Sequence, residues 1–594
     1  MDRAEYQNLI ESYADPYKCW VRQNEVWDAV DEPERLKEKV LEKFSLYACE
    51  GAVIEDRLWK LASEKDADFI YTDEDIMDSR GRHDPFFKPD FAPESLLGMY
   101  YPGAVTLVSK ELESKLGGAA CQKGSLEYLK KCAFKAVNPW HIPEVLVHTT
   151  KACDYEYFEQ REMEYEGDAL VSAVILSKDN PELLKTCVDT LKSAAVLEKQ
   201  RLEIIVIDNG SNDENTAEYQ KLAGSRGFFY EKHPMKFSYS KLCNIGERKA
   251  CGDYILLLND DIEVPKNVRF LRKLLYIASK EHVGAVGIKL LYPDRLHIQH
   301  NGITFLKSGP SHKLCTYPDD KIYGRGINRH VHNCIAATGA CLMVAKSKYD
   351  TVGGFDENLD AAYTDVDLCL ALYRKGWISA VVSEVNLIHH ESFTRDDDIH
   401  DSSAYERLQK EKAYYEEKYA DILKAGDPFY NPNLTRTELD YSADHALPTA
   451  SFGLSKEADI SKRRYAPLKK NVHIEAEDCT FHLSDAWGNE SYFEIKGWAF
   501  VENAPGYKYE AEVILEADDE KHVYNTLRMP REDVSVVFAG FGGLELAGYT
   551  ARIPVKDLTR GKEYRVSAAM VKPALLNKKI YKGYKKETAL TVKY

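Results

Sequence analysis

Long hydrophobic runs are missing from this 594-residue chain. Its longest apolar stretches, such as Tyr254–Leu258, fall far short of the ~18–20 residues a bilayer span needs, so no transmembrane helix is expected. The opening residues Met1-Asp2-Arg3-Ala4-Glu5-Tyr6 contain no apolar segment, so no signal peptide is expected. Cysteine is sparse, with 13 residues and no CxxC pair, which argues against a disulfide framework, structural zinc and thioredoxin chemistry. An excess of positive charge is also missing. Lys+Arg number 79 against 96 Asp+Glu, and a net charge of −17 argues against a nucleic-acid binder, which must neutralise phosphates. What remains is 44% hydrophobic and 29% charged, the balance of a soluble globular protein. At roughly 100–200 residues per domain the length implies about three to five domains. These bounds leave a soluble multidomain enzyme or scaffold in a reducing, cytoplasmic setting.

The richest block starts near Ala169. Leu170-Val171-Ser172-Ala173-Val174-Ile175-Leu176 is an apolar, β-branched run that ends in the polar turn Ser177-Lys178-Asp179-Asn180-Pro181. A helix-compatible segment from Glu182 to Ala195 follows, with Leu183, Leu184, Val188 and Leu191 on one face. Leu202-Glu203-Ile204-Ile205-Val206-Ile207 then reads as a second buried strand, closed by Asp208-Asn209-Gly210-Ser211. Strand, helix, strand is a βαβ unit with parallel strands and a right-handed crossover. Such α/β sheets bind ligands beyond the carboxyl ends of their strands, where both polar turns lie.

A third strand, Asp253 to Leu258, runs into Asn259-Asp260-Asp261-Ile262-Glu263. Acids crowded at a strand end repel one another, and a hard divalent cation with oxygen ligands relieves that cost. Further on come the strand Ala337–Val344, then Gly353-Gly354-Phe355-Asp356-Glu357, then Thr364-Asp365-Val366-Asp367 leading into an amphipathic helix that ends at Lys375-Gly376-Trp377. Thr364 and Asp367 have the spacing of a helix N-cap pair, with Asp365 a first-turn acid favoured by the helix dipole. The block closes with the strand Ile378–Ile388 and His389-His390.

Taken together and in this order, these motifs resemble the family-2 inverting glycosyltransferases of the GT-A fold, over about residues 165–400. Within that family the chain is most similar to bacterial enzymes that build O-antigen, capsule or cell-wall glycans, including rhamnosyl- and galactofuranosyltransferases. The resemblance implies an α/β nucleotide-sugar transferase that uses Mn²⁺ or Mg²⁺ to neutralise the diphosphate leaving group. It maps Asp261 onto the last acid of the DxD motif, with Asn259 standing where the first Asp usually is. His389 is the implied further metal ligand, with His390 the alternative, because neighbouring strand residues point opposite ways. Asp365 is implied as the general base of a single in-line displacement. Asp208 falls at the nucleobase position. Ser177, Asn180, Asn244, Asn259 and Asp260 are expected around the nucleotide, and Thr364 and Asp367 on the acceptor side, Asp367 capping the helix or orienting its loop.

The first 150 residues echo this block. Gly103-Ala104-Val105-Thr106-Leu107-Val108-Ser109-Lys110 leads to Gly117-Gly118 as Gly339–Lys346 leads to Gly353-Gly354, both at an interval of 14 (117 − 103 and 353 − 339). Pro143–His148 likewise resembles Ser383–His389. No nucleotide-binding βαβ unit precedes this region, Tyr47-Ala48-Cys49-Glu50-Gly51 stands where a DxD belongs, and Gly124–Tyr128 where a base belongs. Residues 1–160 are therefore expected to be a degenerate, non-catalytic GT-A-like domain; the rival is a second site using Asp73 and Asp75. Residues 165–400 are the expected catalytic domain and 401–470 a helical connector with a Tyr-, Lys- and Glu-rich helix. Residues 471–594 show the short alternating runs of a β-sandwich, in which Trp498 reads as core. Basic clusters at Lys462-Arg463-Arg464, Lys469-Lys470 and Asn577–Lys586 suggest peripheral contact with the inner face of the plasma membrane.

The expected partners are a UDP- or dTDP-sugar donor and an oligosaccharide or lipid-linked glycan acceptor, with self-association a further expectation and no nucleic acid. Two alternatives stand beside this reading. A sugar nucleotidyltransferase would want a Gly-rich phosphate loop that Ser177–Asn180 lacks. A non-catalytic glycan-binding scaffold would have no need of Asp261, Asp365 and His389 together.

Overall fold

Short apolar runs broken by charged turns build six strands within the first 150 residues: β1 (Phe44–Ala48), β2 (Val53–Ile54), β3 (Phe69–Asp78), β4 (Gly81–Phe86), β5 (Val105–Ser109) and β6 (Pro139–Thr149). The computed structural model describes residues 3–116, 122–151, 164–390, 402–444, 452–482, 491–542, 544–572 and 581–593. Gly117-Gly118 of the sequence echo and Lys578-Lys579 of the basic tail lie outside them. After the sixth strand come β7 (Val171–Ser177), β8 (Leu202–Asp208), β9 (Phe229–Lys232), β10 (Tyr254–Asn259), β11 (Ile262–Glu263), β12 (Val283–Leu291), β13 (Ile298–His300), β14 (Ile303–Leu306), β15 (Gly309–His312), β16 (His332–Cys334), β17 (Cys341–Ala345) and β18 (Ile378–His389).

The larger sheet has the order β11-β18-β12-β17-β10-β7-β8-β9, with β13 paired to β12 and β16 to β18. Strands β10, β7, β8 and β9 are mutually parallel, as the βαβ pattern predicts. The crossover helix, Pro181–Glu198, starts on a proline that needs no N–H partner there and buries Leu184, Cys187, Val188 and Leu191 against the sheet. Each such fully buried leucine contributes about 1.5–3 kcal/mol. All four parallel strands end at the same edge, and the acids and amides that follow them converge there.

The smaller sheet has the order β1-β5-β3-β6-β2, with β4 paired to β3. This is the order β10-β17-β12-β18-β11, with β13 on β12, seen again. The directions also match: β1 to β5, β5 to β3 and β6 to β2 are antiparallel and β3 to β6 parallel, as are the corresponding pairs. Helix Asp56–Glu64 precedes β3 as Leu271–Ala278 precedes β12. Lys110–Leu116 and Leu126–Lys135 link β5 to β6 as Lys346–Val352 and Thr364–Arg374 link β17 to β18. The repeat reaches individual bonds. Cys49 N–H donates to Ala104 O at 2.8 Å and Asn259 N–H to Ala340 O at 3.0 Å, while Val53 faces His148 as Ile262 faces His389. Among the described residues the smaller sheet has no counterpart of β7, β8 and β9.

The sequence places a boundary near 160; instead, both sheets lie within one compact unit, Asp28–Leu306 with Pro310–Tyr441. Buried Glu94 joins them, accepting from Asn333 Nδ2 at 2.8 Å while its own N–H donates to Asn333 Oδ1 at 2.9 Å. The rival second site at Asp73 and Asp75 is overturned by burial and bonding. Asp73 is 0% exposed; it is held by His141 Nε2 at 2.9 Å, by Lys88 N–H at 2.8 Å and by Asn431 Nδ2 at 2.8 and 3.0 Å. Asp75 is 1% exposed and is closed by His148 and Arg82, each at 2.6 Å. Neither carboxylate has a face left for a ligand.

The second unit comprises Met1–Trp27, Lys307–Gly309 and Ser442–Tyr594. Its body is a two-sheet β-sandwich whose inner faces enclose Val472, Ile495, Val513, Tyr549, Ala551 and Val566. The first helices of the chain belong to this unit: Tyr6 meets Tyr507 edge-on at 6.2 Å, and Tyr13 Oη donates to Arg528 O at 3.3 Å. Trp498 packs with Phe500 and Phe538, in keeping with a structural role. Of the basic tail, Lys585 and Lys586 pair with Glu516 and Glu475. Among the described residues no helix is long and apolar enough to cross a membrane.

Candidate active site

The carboxyl ends of β7, β8 and β10 open into a cleft of about 650 Å³. Ser177, Asn180, Asn259, Asp260, Asp261, Thr364, Asp365 and His389 all line it. Eight of the residues singled out from the sequence thus meet in one place, although up to 212 positions separate them (389 − 177).

Asp261 sits at the bottom, 8% exposed. Its Oδ1 lies 3.0 Å from His389 Nε2 and receives no hydrogen bond from any described residue. His389 Nδ1–H donates to Gln299 Oε1 at 2.5 Å, which in the neutral imidazole leaves the Nε2 lone pair beside that orphaned carboxylate oxygen, with only a long contact from Asn259 Nδ2 at 3.4 Å. An imidazole lone pair facing a carboxylate oxygen at 3.0 Å would be unfavourable without a cation. A hard cation with ligand bonds of about 2.1–2.2 Å at right angles places two neighbouring ligands about 3.0 Å apart, so the pair fits a shared divalent ion. Among the described residues no cluster of three or more His, Cys, Asp or Glu could hold a metal, so further ligands would be other oxygens, from amides, water or a bound molecule. His390 does not join this pair: its Nε2 bonds Glu263 Oε2 at 2.8 Å and it does not line the cleft.

Asp260 turns the other way, accepting from Ser177 Oγ at 2.5 Å. Burial, reinforced by the neighbouring Asp261 charge, pushes its carboxyl up to about 7 against the lowering effect of the Ser177 bond. Ser177 is fixed in turn by Tyr219 Oη at 2.7 Å, which also accepts from Asn180 N–H at 2.8 Å.

Asp365 lines the same cleft from the first turn of helix Thr364–Arg374. Its Oδ2 accepts from Gly339 N–H at 3.0 Å and its Oδ1 from Val366 N–H at 2.9 Å. These bonds hold the carboxylate at a fixed angle while it still faces the cleft. The expected Thr364–Asp367 cap pair does not form. The capping residue is Tyr363, in the left-handed region at φ 61°, with no side-chain cap. Asp367 is 2% exposed, away from the cleft, and bonds Lys418 Nζ at 2.6 Å. Its role is to anchor the loop, which excludes the acceptor-side contact.

Two nucleotide-side expectations also change. Asp208 is 0% exposed, its oxygens filled by Ser211 N–H at 2.8 Å, Ser211 Oγ at 2.7 Å and Tyr230 Oη at 2.7 Å; Asn209 is the residue of that turn which reaches the cleft. Asn244 braces the Gly-Gly-Phe loop, accepting from Phe355 N–H at 3.0 Å and Tyr349 Oη at 2.8 Å and donating to Phe355 O at 3.0 Å. A Cβ on Gly354, at φ 73°, would come within 2.6 Å of Asn244 Oδ1, which is why this loop needs glycine.

The sequence reading missed the residues that hold the loop leading to Asp365. Glu411, in helix Ser402–Lys418, accepts from the N–H groups of Asp360 at 3.0 Å, Ala362 at 2.7 Å and Ala361 at 3.4 Å. Lys418, seven positions on and so on the same helix face, bridges Asp356 and Asp367, each at 2.6 Å. Between them Tyr415 stacks on Tyr363 at 4.8 Å. The charged, tyrosine-rich face at i and i+7 was the available signal.

Residues 172–340 match the model of the family described as Glycosyl transferase family 2. The chain carries a family-2 glycosyltransferase domain. The matched span contains Asp261 and Gln299 and stops before Asp365 and His389. The chain is 28% identical over 467 residues to the O-antigen biosynthesis protein RfbC of Myxococcus xanthus, an alignment covering 69% of this chain and 36% of that one. It is 40% identical over 55 residues, 9% of its length and 18% of the relative's, to an N-acetylglucosaminyl-diphospho-decaprenol L-rhamnosyltransferase of Mycobacterium tuberculosis. The chain therefore spans about a third of the first of these relatives and less of the second. Among solved structures it is similar to a mannosyltransferase of Pyrobaculum calidifontis in complex with GDP-Man and Mn2+, at 14% identity and a TM-score of 0.33, covering 48% of this chain and 74% of that one. The cleft is lined by the larger sheet together with β14, β15 and neighbouring helices and loops; the smaller sheet adds none of its lining residues.

Proposed function

We propose that this chain transfers a sugar, with inversion, from a UDP- or dTDP-sugar to a glycan acceptor in cell-surface polysaccharide synthesis, with Mn²⁺ or Mg²⁺ in the cleft. The observation that carries the reading is that Asp365 and the Asp261–His389 pair line one 650 Å³ cleft. The RfbC and rhamnosyltransferase likenesses support the polysaccharide setting. Asp261 Oδ1 and His389 Nε2 would hold the cation, with the donor diphosphate completing its coordination. When bound, the cation supplies positive charge that offsets the charge building on the diphosphate as it departs. Asp365 accepts the proton of the acceptor hydroxyl while that oxygen forms its bond to the anomeric carbon. The bond from that carbon to the diphosphate oxygen breaks on the opposite face, and its electron pair leaves with the diphosphate. Ser177, Asn180 and Asn209 line the donor end, and Thr364 lies beside the base. The smaller sheet, without donor-side strands, is read as non-catalytic.

The test is transfer assayed with a panel of nucleotide sugars and Mn²⁺. Asp365→Asn is expected to lower kcat by 10²-fold or more, the scale of a general base, with donor affinity preserved. Asp261→Ala is expected to abolish metal-dependent donor binding. Full turnover in Asp365→Asn, or an unaltered Mn²⁺ titration in Asp261→Ala, would refute the respective assignment.

A further inference from the structure

The two matched sheets place two histidines at one register position with opposite surroundings. His148, opposite Val53, is closed on both sides by carboxylates: Nδ1 lies 2.6 Å from Asp75 Oδ1 and Nε2 3.1 Å from Glu55 Oε1. His389, opposite Ile262, has the neutral amide of Gln299 at Nδ1 and the orphaned Asp261 Oδ1 at Nε2. The structure thus contains its own comparison. At His148 both ring nitrogens are used up in holding carboxylates, whereas at His389 one nitrogen is tied by an amide oxygen and the other, beside Asp261 Oδ1, has only a long 3.4 Å contact with Asn259 Nδ2.

Resting on the metal reading above, we infer that Gln299 is the positioning residue of the metal site: its amide oxygen fixes the ring angle of His389 and keeps the proton on Nδ1, so that Nε2 presents a lone pair beside Asp261. Three features equip Gln299 for this. It is 5% exposed and lines the cleft wall. Its strand, β13, is pinned to β12 through Leu290–His300 and Leu291–Ile298. Its own carbonyl accepts from His312 Nδ1 at 3.2 Å, so backbone and side chain are both held. A side chain so anchored can set the orientation of its partner, and residues that orient metal-ligating histidines typically carry 10–100-fold of metal affinity.

The test measures metal rather than turnover. Mn²⁺ is titrated into the full-length chain with UDP present, at pH 8, following free Mn²⁺ by electron paramagnetic resonance and the imidazole nitrogen coupling by electron spin-echo modulation. Gln299→Met, close in size to glutamine, is expected to weaken Mn²⁺ by about tenfold or more and to reduce the nitrogen coupling, with metal-free UDP affinity unchanged. Gln299→Glu, which keeps an acceptor, is expected to stay within about threefold of the parent. Should Gln299→Met unfold, Gln299→Asn, one methylene short of His389, serves in its place. Unchanged affinity and coupling in the truncated variants, with both present in the parent, would overturn the role of Gln299 alone. A parent that takes up no Mn²⁺, or shows no nitrogen coupling, would overturn the metal site on which that role rests.

Discussion

Glu411 offers a quantitative handle on the Asp365 loop because its hydrogen bonds all go to backbone N–H groups of that loop, with Arg407 Nε a more distant 3.9 Å away. Its carboxylate takes two short N–H bonds, from Asp360 at 3.0 Å and Ala362 at 2.7 Å, and a longer one from Ala361 at 3.4 Å. It is 5% exposed, so little water competes. Hydrogen bonds to a charged group are worth about 1.5–3 kcal/mol each. Removing the carboxylate frees N–H groups that water can partly reach, which brings the net loss to about 2–4 kcal/mol. The Lys418 bridge and the Tyr363–Tyr415 stack remain to hold the loop, so the lower end applies: about 2 kcal/mol, or roughly a 30-fold drop in the population with Asp365 in place. Glu411→Ala should therefore lower kcat about 30-fold while leaving the donor dissociation constant within twofold, because no Glu411 contact reaches the donor end. Glu411→Gln keeps one acceptor oxygen and should lose roughly three- to tenfold. The assay is single-turnover transfer at saturating donor and metal. Full kcat in Glu411→Ala would refute the argument, and so would an equal loss of donor affinity.

Two stability effects follow from the same unit. Asn431→Ala removes both amide bonds from the buried Asp73 carboxylate and should cost about 2–4 kcal/mol, seen as a lower denaturation midpoint; an unchanged midpoint would refute the clamp. Burial holds the His330 imidazole down at about 4, so between pH 6.5 and 4 the unfolded chain binds a proton that the folded chain does not. The stability due to neutral His330 is thus present above pH 6.5 and lost as pH falls through 4, to the extent of about 3 kcal/mol. In His330→Gln that loss is absent, so the stability difference between parent and variant should shift by this amount in the variant's favour across the window; a pH-independent difference would refute it.

The strands and the cleft were legible because each apolar run stops at the residue that matters: Leu176 before Ser177, Leu258 before Asn259, Ile388 before His389. A period-2 or continuous apolar pattern marks the strand, and its end marks the sheet edge. What the pattern could not show is which polar side chain turns into the cleft and which is used to hold the loop. Asp208 and Asp261 both follow parallel strands, yet the hydroxyls of Ser211 and Tyr230 fill one carboxylate and leave the other open. Asn244 and Phe355 meet across 111 positions, and Glu411 reaches Asp360 across 51. Such pairings depend on tertiary placement, and no local periodicity encodes them.

The smaller sheet repeats the strand order of the larger one but contributes no residue to the cleft. Ala52 precedes Val53 where Asp261 precedes Ile262, so an apolar side chain stands at the position of the Asp261 carboxylate. The acids that remain, Asp73 and Asp75, are spent on His141, Asn431, Arg82 and His148. A buried carboxylate with every oxygen paired stabilises a fold only while its partners stay in place, so this region is rigid where an active site must admit a ligand. Among the described residues this sheet has no counterpart of β7 to β9, so placing a carboxylate at Ala52 should not create transfer there. The repeat and the catalytic sheet differ less in fold than in whether their histidines and acids have been left something to bind.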